Sequence, residues 1–251
     1  MRAMAAVRFI QFTDTHLTGD PQGGIRGVVT LESLHRVLQH AQAEITTADA
    51  ILLTGDIVHD DVAGYAWIRD SLASLGPPVL AIPGNHDDPQ QLRAALSGPP
   101  FHIGGTHAFA DWCVILLDTH CTGAVEGTLA DSELTRLEAT LSAQPHHALI
   151  VLHHQPVAVG SPWLDRIGLT NEGALWQIID RHPCVRGVLW GHVHQAFDAN
   201  RGSIRLMATP STCVQFAVGT PHFAIDDRPP GYRQLLLHPD GRIDSAVRWA
   251  A

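Results

Sequence analysis

Short runs rich in Val, Ile and Leu alternate along this chain with stretches whose apolar positions recur at helical spacing. The runs Val7–Phe12, Ile51–Thr54, Val79–Ile82, Cys113–Leu117, Ala148–Leu152, Val185–Trp190 and Ile204–Ala208 predict strands. A late strand, Arg233–His238, precedes a turn at Pro239-Asp240-Gly241. Leu31, Leu34, Leu38 and Ala41 form one helical stripe with Thr30 as its cap, and Asp88-Pro89 reads as the start of a helix over Gln90–Leu96. Leu134, Leu137 and Leu141 form a further stripe, and Asn171 caps a helix running through Ile179. Alternation of this kind points to an α/β layered protein. With no internal repeat, linker or low-complexity tract, residues 1–251 read as one domain.

Five of these strands run straight into polar clusters, at the edge where loops of such sheets gather their ligands. They are Asp14-Thr15-His16, Gly55-Asp56 (with His59, Asp60 and Asp61 close behind), Gly84-Asn85-His86-Asp87, His153-His154-Gln155-Pro156 and Gly191-His192-Val193-His194. Each alone is ordinary turn chemistry, Gly84 for instance supplying a positive φ. Together they bring acids and imidazoles to one place, which is costly unless something cationic holds them. Oxygen and imidazole donors without a thiolate suit Mn, Fe, Zn or Co. Asp14, His16, Asp56, Asn85, His153, His192 and His194 exceed the needs of one four-coordinate ion and match two ions that share Asp56. A pair of ions of this kind clamps an attacking hydroxide and a departing oxygen together, which points to phosphoester hydrolysis.

Composition narrows the choice. The chain has 17 His against 16 cationic residues, all of them Arg. Without Lys there is no Schiff-base chemistry and no P-loop. A net charge of -9 is a poor footprint for nucleic acid, which requires a basic face. Cys113, Cys121, Cys184 and Cys213 fit no zinc spacing and read as free thiols in a reducing compartment. Met1–Ile10 is too short for a signal-peptide core, and no apolar run approaches the roughly 20 residues of a membrane span. A cytoplasmic protein is expected.

In this order and spacing the motifs resemble the calcineurin-like metallophosphoesterases. Thr13-Asp14-Thr15-His16-Leu17, Pro83-Gly84-Asn85-His86-Asp87 and the stretch from Ala208 to Phe216 resemble, within that superfamily, the bacterial class III 3′,5′-cyclic nucleotide phosphodiesterases. The likeness runs from about Val7 to about Arg242. It implies one metallophosphoesterase domain, a β-sandwich flanked by helices in four layers (αββα). It implies that Asp14, His16, Asp56 and His194 hold a first ion, iron, and that Asp56, Asn85, His153 and His192 hold a second, manganese. His86 would face the phosphate and protonate the leaving group, with Asp87 orienting its ring; Asn85, His86, His154 and His194 would meet the substrate. The resemblance places the ligand at His153, the first of its pair, with His154 as the alternative.

The reaction implied is hydrolysis of the 3′ ester of cyclic AMP, and of cyclic GMP, by a hydroxide bridging the two ions. The same metal core would serve 2′,3′-cyclic nucleotides or glycerophosphodiesters. The acidic charge disfavours a nuclease, and the intact ligand set with His86 disfavours a non-catalytic scaffold. The segment Thr209–Phe216 supports the site and, by the resemblance, serves as a homodimer contact. Gln155 departs from the family pattern at the pocket edge, and Val29 departs from it where relatives often carry Asn, which bears on substrate detail and not on metal binding. Of the rest, Asp60 is a candidate partner just outside the ligands, Gly23-Gly24 with Arg26 reads as a plain flexible loop or, alternatively, as a lining of the entrance, and Trp163 stacks on a base at the rim or covers the core.

Overall fold

The computed structural model describes residues 5–143 and 146–251, so the first four residues of the Met1–Ile10 stretch lie outside the described ones. Two six-stranded sheets pack face to face. In the first, the order is Ile243–Trp249, Gly231–Leu237, Val7–Phe12, Ala50–Thr54, Val79–Ile82, Phe101–Ile103. In the second it is Phe197–Arg201, Ile204–Ala208, Val185–Trp190, His147–Val151, Trp112–Leu116, Gly105–Phe109. Each sheet has a parallel centre and antiparallel strands at one or both margins. The parallel centres explain the continuous apolar runs, because these strands are covered on both faces.

Side chains alternate across each strand, and the period of two sorts them into layers. Phe9, Leu52 and Leu80 point inward and meet Val114, Leu149 and Leu189 of the other sheet. Ile10, Ile51 and Ala81 point outward against helices Thr30–His40, Tyr65–Leu72 and Pro89–Ala95, whose Leu34, Val37, Ile68 and Leu92 are buried there. On the far side, Ile150, Val188 and Trp190 pack with Leu137 and Leu141 of helix Asp131–Ala143 and Leu175 and Ile179 of helix Glu172–Ile179. The result is the expected four-layer αββα sandwich. Each fully buried aliphatic side chain contributes about 1.5–3 kcal/mol to holding these layers together.

The helix starts behave differently from one another. Asp88 caps as expected, its carboxylate accepting from the Gln90 and Gln91 amides at 2.9 and 3.0 Å. Thr30 does not cap: it is already the first helical residue after Val29, and its hydroxyl is buried without a partner. Asn171 precedes its helix, but its amide is turned to Leu129, accepting from that N–H and donating to that carbonyl. Among the described residues no helix is long and apolar enough to cross a membrane.

Candidate metal centre

The parallel strands of both sheets deliver their carboxyl ends to one rim of the sandwich. Val7–Phe12, Ala50–Thr54 and Val79–Ile82 lead to Asp14 and His16, to Asp56 and to Asn85. His147–Val151 and Val185–Trp190 of the second sheet lead to His153 and to His192 and His194. The turns that place these groups are strained. Asp14, His16, Asp56, Asp60, His192 and His194 all have φ between 46° and 64°, the left-handed region. For residues with a Cβ this costs about 1–2 kcal/mol each, and such strain persists where a site over-determines it.

Space is as tightly used. A Cβ on Gly84 would overlap the Asp56 carboxylate and amide, and one on Gly191 would overlap the Thr13 hydroxyl and Asp14. Gly84 is therefore required for room and not, as its turn position suggests, for a positive φ.

The donor atoms converge. His16 Nε2 lies 3.1 Å from His194 Nε2, and His194 Nε2 lies 3.3 Å from Asp14 Oδ1. Two nitrogens bound to one ion at about 2.1 Å and right angles would be roughly 3 Å apart. Asp56 divides its oxygens: Oδ2 is 3.6 Å from His16 Nε2, and Oδ1 is 3.4 Å from His153 Nε2. Asp14, His16 and His194 form one compact group, Asp14, Asp56 and His153 a second, and His153, His154 and His192 a third. Asn85 Oδ1 and His153 Nε2 are buried without hydrogen-bond partners. An orphaned amide oxygen and an imidazole nitrogen without a partner, at the centre of an acid–imidazole cluster, are what a bound cation would satisfy in place of the imidazole proton, so this donor set fits metal.

The outward nitrogens fix the tautomers. His153 Nδ1 donates to the Thr54 carbonyl at 2.8 Å, His192 Nε2 to Ile167 O at 3.0 Å, and His194 Nδ1 to Val214 O at 2.6 Å. Each ring therefore turns its other nitrogen inward, as metal-ligating imidazoles do. Asp14 is held by the Thr13 hydroxyl at 2.6 Å and by the His192 amide.

Burial pushes the His16 and His192 rings down to about 3, so both are neutral at ordinary pH. Burial works against ionising Asp14 and Asp56, yet the neighbouring His194 and His153 hold both carboxyls below the usual range.

Two expectations need correction. Asp87 does not orient His86. Its carboxylate is buried beneath the loop, accepting from the Gly84, Ile57 and Val58 amides and from the Tyr65 hydroxyl at 2.8–3.2 Å. Burial, reinforced by Asp56, pushes its pKa up to about 6. The partner of His86 is Asp60, whose Oδ2 lies 3.0 Å from Nδ1. His154 does not face a substrate either. Its Nε2 donates to Val125 O at 3.0 Å and its Nδ1 accepts from the Thr119 hydroxyl at 2.8 Å, leaving the ring as a prop against His153 and His192.

His86 separates two clefts. One, of about 720 Å³, is lined by Asn85, Asp88, His120, Thr122 and Val125. The other, of about 420 Å³, is lined by His16, His59, His194, Arg26, Phe216 and Phe223. The segment Thr209–Phe216 supports the site from within: Ser211 donates to Asp14 O, the Thr212 amide to Thr13 O, and the Phe216 amide to His194 O. Thr209, Ser211, Thr212, Cys213, Val214 and Gln215 are buried inside this chain, so the contact surface between copies expected there is not on offer.

The model for the family "Calcineurin-like phosphoesterase" matches residues 7–196. The chain belongs to the calcineurin-like phosphoesterases. Among curated members similar to this phosphoesterase, the 3′,5′-cyclic adenosine monophosphate phosphodiesterase CpdA of Vibrio vulnificus (strain CMCP6) is 40% identical over 246 residues, covering 97% of this chain and 90% of the relative. The protein of the same name from Escherichia coli (strain K12) is 37% identical over 246 residues, again 97% and 90%. Among solved structures, a dimetal phosphatase from Danio rerio has a TM-score of 0.68 at 14% identity, covering 99% of this chain and 100% of that one. The last likeness shows the fold shared by calcineurin-like phosphoesterases and no more.

Phe223 went unrecognised as a site residue in the sequence, and His59, noted behind Asp56, was given no role there. His59 follows Asp56 by three positions, a spacing that carries no signal alone, and Phe223 lies in a loop far along the chain.

Proposed function

We propose that this chain is a metal-dependent phosphodiesterase that hydrolyses the 3′ phosphoester bond of 3′,5′-cyclic nucleotides, cyclic AMP first among them, to 5′-nucleotides. The observation that carries the reading is the convergence of Asp14, His16, Asp56, Asn85, His153, His192 and His194 beside a half-buried His86. The high identity to relatives named as cyclic AMP phosphodiesterases over nearly the whole chain supports the substrate.

Asp14, His16, Asp56 and His194 would hold one ion and Asp56, Asn85, His153 and His192 the other, with iron and manganese as the pair. When bound, the ions neutralise the phosphoryl oxygens and supply a nucleophile at neutral pH. The protein does the rest. His86, held by Asp60, turns Nε2 to the departing 3′ oxygen and delivers a proton, a step worth about 10²–10⁴-fold. Asn85 and His194 line the place of the phosphate. His154, through Thr119 and Val125, keeps His153 in position.

The four free thiols suit a reducing cytoplasm, and we read residues 1–251 as one working unit. The test is a parallel assay of iron- and manganese-loaded protein with 3′,5′-cyclic AMP, 2′,3′-cyclic AMP and a glycerophosphodiester. Turnover of 3′,5′-cyclic AMP that is abolished by His86→Ala is expected; turnover of the third ester alone would overturn the reading.

A further inference from the structure

The smaller cleft beside His86 has an outer wall that the chemistry at phosphorus does not use. Phe216 stacks on the His194 ring, centroids 4.0 Å apart and planes at 4°. Phe223 meets Phe216 edge to face at 5.3 Å, and Trp163 backs both at 5.3 Å. An aromatic surface therefore runs outward from a ligand ring to the cleft mouth. At its end Phe223 is 43% exposed, unusual for so large an apolar side chain at a polar site.

Over the Phe223 ring sits the Arg26 guanidinium, 4.8 Å from the centroid. Its placement is deliberate in backbone terms. Gly24–Ile25 and Val28–Val29 pair as a tight antiparallel hairpin whose two turn residues are Arg26 and Gly27, with φ of 51° and 83°. Positive φ at both positions is the type I′ pattern, in which Asn-Gly is the favoured pair. Arg at the first position costs about 1–2 kcal/mol relative to a residue suited to that conformation. The strained turn points the one long cation of this loop into the cleft.

We propose that Phe223 and Arg26 form the seat for the nucleobase, the base lying against the aromatic ring while the guanidinium meets its polar edge or opposite face. This rests on the cyclic nucleotide reading above and extends it to the nucleoside half of the substrate. A flat, neutral, hydrogen-bonding ring is the occupant that matches an exposed aromatic face, a five-donor fork and a cleft of about 420 Å³ continuous with His16, His86 and His194. The larger cleft offers Asp60, Asp87, Asp88 and His120 and no aromatic face apart from imidazole.

Calorimetric titration of metal-loaded protein with 5′-AMP and with inorganic phosphate tests the seat without any turnover. Wild type is expected to bind AMP more tightly than phosphate. Phe223→Ala should weaken AMP by roughly 10- to 100-fold, the range for loss of one base–aromatic stack, and Arg26→Gly, which relieves the turn, should weaken it by roughly 10-fold. Phosphate affinity is the reference. Equal affinity of wild type for AMP and phosphate, or variants that bind AMP as wild type does, would overturn the seat. A wild type that binds AMP through these residues yet leaves 3′,5′-cyclic AMP intact would instead defeat the proposed reaction and leave the seat standing.

Discussion

His16 and His59 meet nitrogen to nitrogen, Nδ1 against Nδ1 at 3.1 Å. The other inward-facing imidazoles, His153, His192 and His194, give their outer proton to backbone carbonyls. His16 gives its proton to another ring. Burial, with the positive field of His86 behind it, depresses the His59 pKa and keeps that ring neutral, able to accept. His59 would thus be a positioning residue for an ion held at His16. His59→Gln, which retains an acceptor, should hold metal nearly as wild type does, whereas His59→Leu should lose about 10- to 100-fold in affinity at that ion. Competition titration against a chelator reads this directly, and a His59→Leu protein with wild-type metal affinity would refute it.

Asp60 and Asp87 make a contrasting pair. Asp60 Oδ2 touches only the ring of His86 among the described hydrogen bonds, and its side chain is 69% exposed. Asp60→Asn should lower kcat by about 10-fold with no change in thermal midpoint. Asp87→Asn should act on stability: it weakens a carboxylate that accepts from three amides and the Tyr65 hydroxyl, a loss of about 1–3 kcal/mol. For a chain of this size that is a fall of roughly 2–4 °C per kcal/mol. If Asp60→Asn melted early and Asp87→Asn only slowed turnover, the two roles would be reversed.

The missing side chains at Gly84 and Gly191 predict a steric effect on metal binding. Gly191→Ala would drive a methyl group against Thr13 and Asp14, and Gly84→Ala would drive one against Asp56. Asp14 is held by the Thr13 hydroxyl and the His192 amide, and Asp56 by the His86 amide, so moving either carboxylate breaks hydrogen bonds. Each variant should fold with a loss of about 1–3 kcal/mol and carry fewer metal ions per chain, as counted by elemental analysis. Full metal content in both would show that the loops have room to shift.

Metal uptake should be coupled to protons through His153. Burial opposes its charged form, but Asp56 and Asp14 outweigh this and hold the ring up at about 9. A chelator-stripped chain then carries a proton on the nitrogen that an ion must take. Because the free state binds the extra proton, affinity should rise about tenfold per pH unit from neutrality up to about pH 9 and flatten above it. His16 and His192, pushed to about 3 by burial, add no slope in this window. Calorimetry in buffers of different ionisation heat should show close to one proton released at pH 7.5; none released would place His153 Nε2 away from the ion.

What could be read from the sequence follows the physics of each element. Val79–Ile82 was legible to the residue because a strand covered on both faces is an unbroken apolar run. Phe197–Arg201 and Ile243–Trp249 were not, since marginal strands mix exposed charged residues with few buried ones. The candidate donors could be picked out because each sits within a few positions of a strand end. Asp87 was misjudged because adjacency to His86 in sequence says nothing of direction: His86 pairs with Asp60, and Asp87 turns to the Gly84, Ile57 and Val58 amides and the Tyr65 hydroxyl. Arg26 and Phe223 come together only through a hairpin and a distant loop, which no local spacing encodes.

Val7–Phe12, the strand that leads to Asp14, lies between Ala50–Thr54 and Gly231–Leu237, with Val7 opposite Leu237. An emerging polypeptide therefore presents four of the seven donors, up to Asn85, long before His153, His192 and His194 exist to join them, and the first strand's outer flank stays unpaired until the last twenty or so residues arrive. If these seven residues hold metal as proposed, a nascent chain that stops short of His153 would offer an ion only the half of the cluster that the first sheet carries.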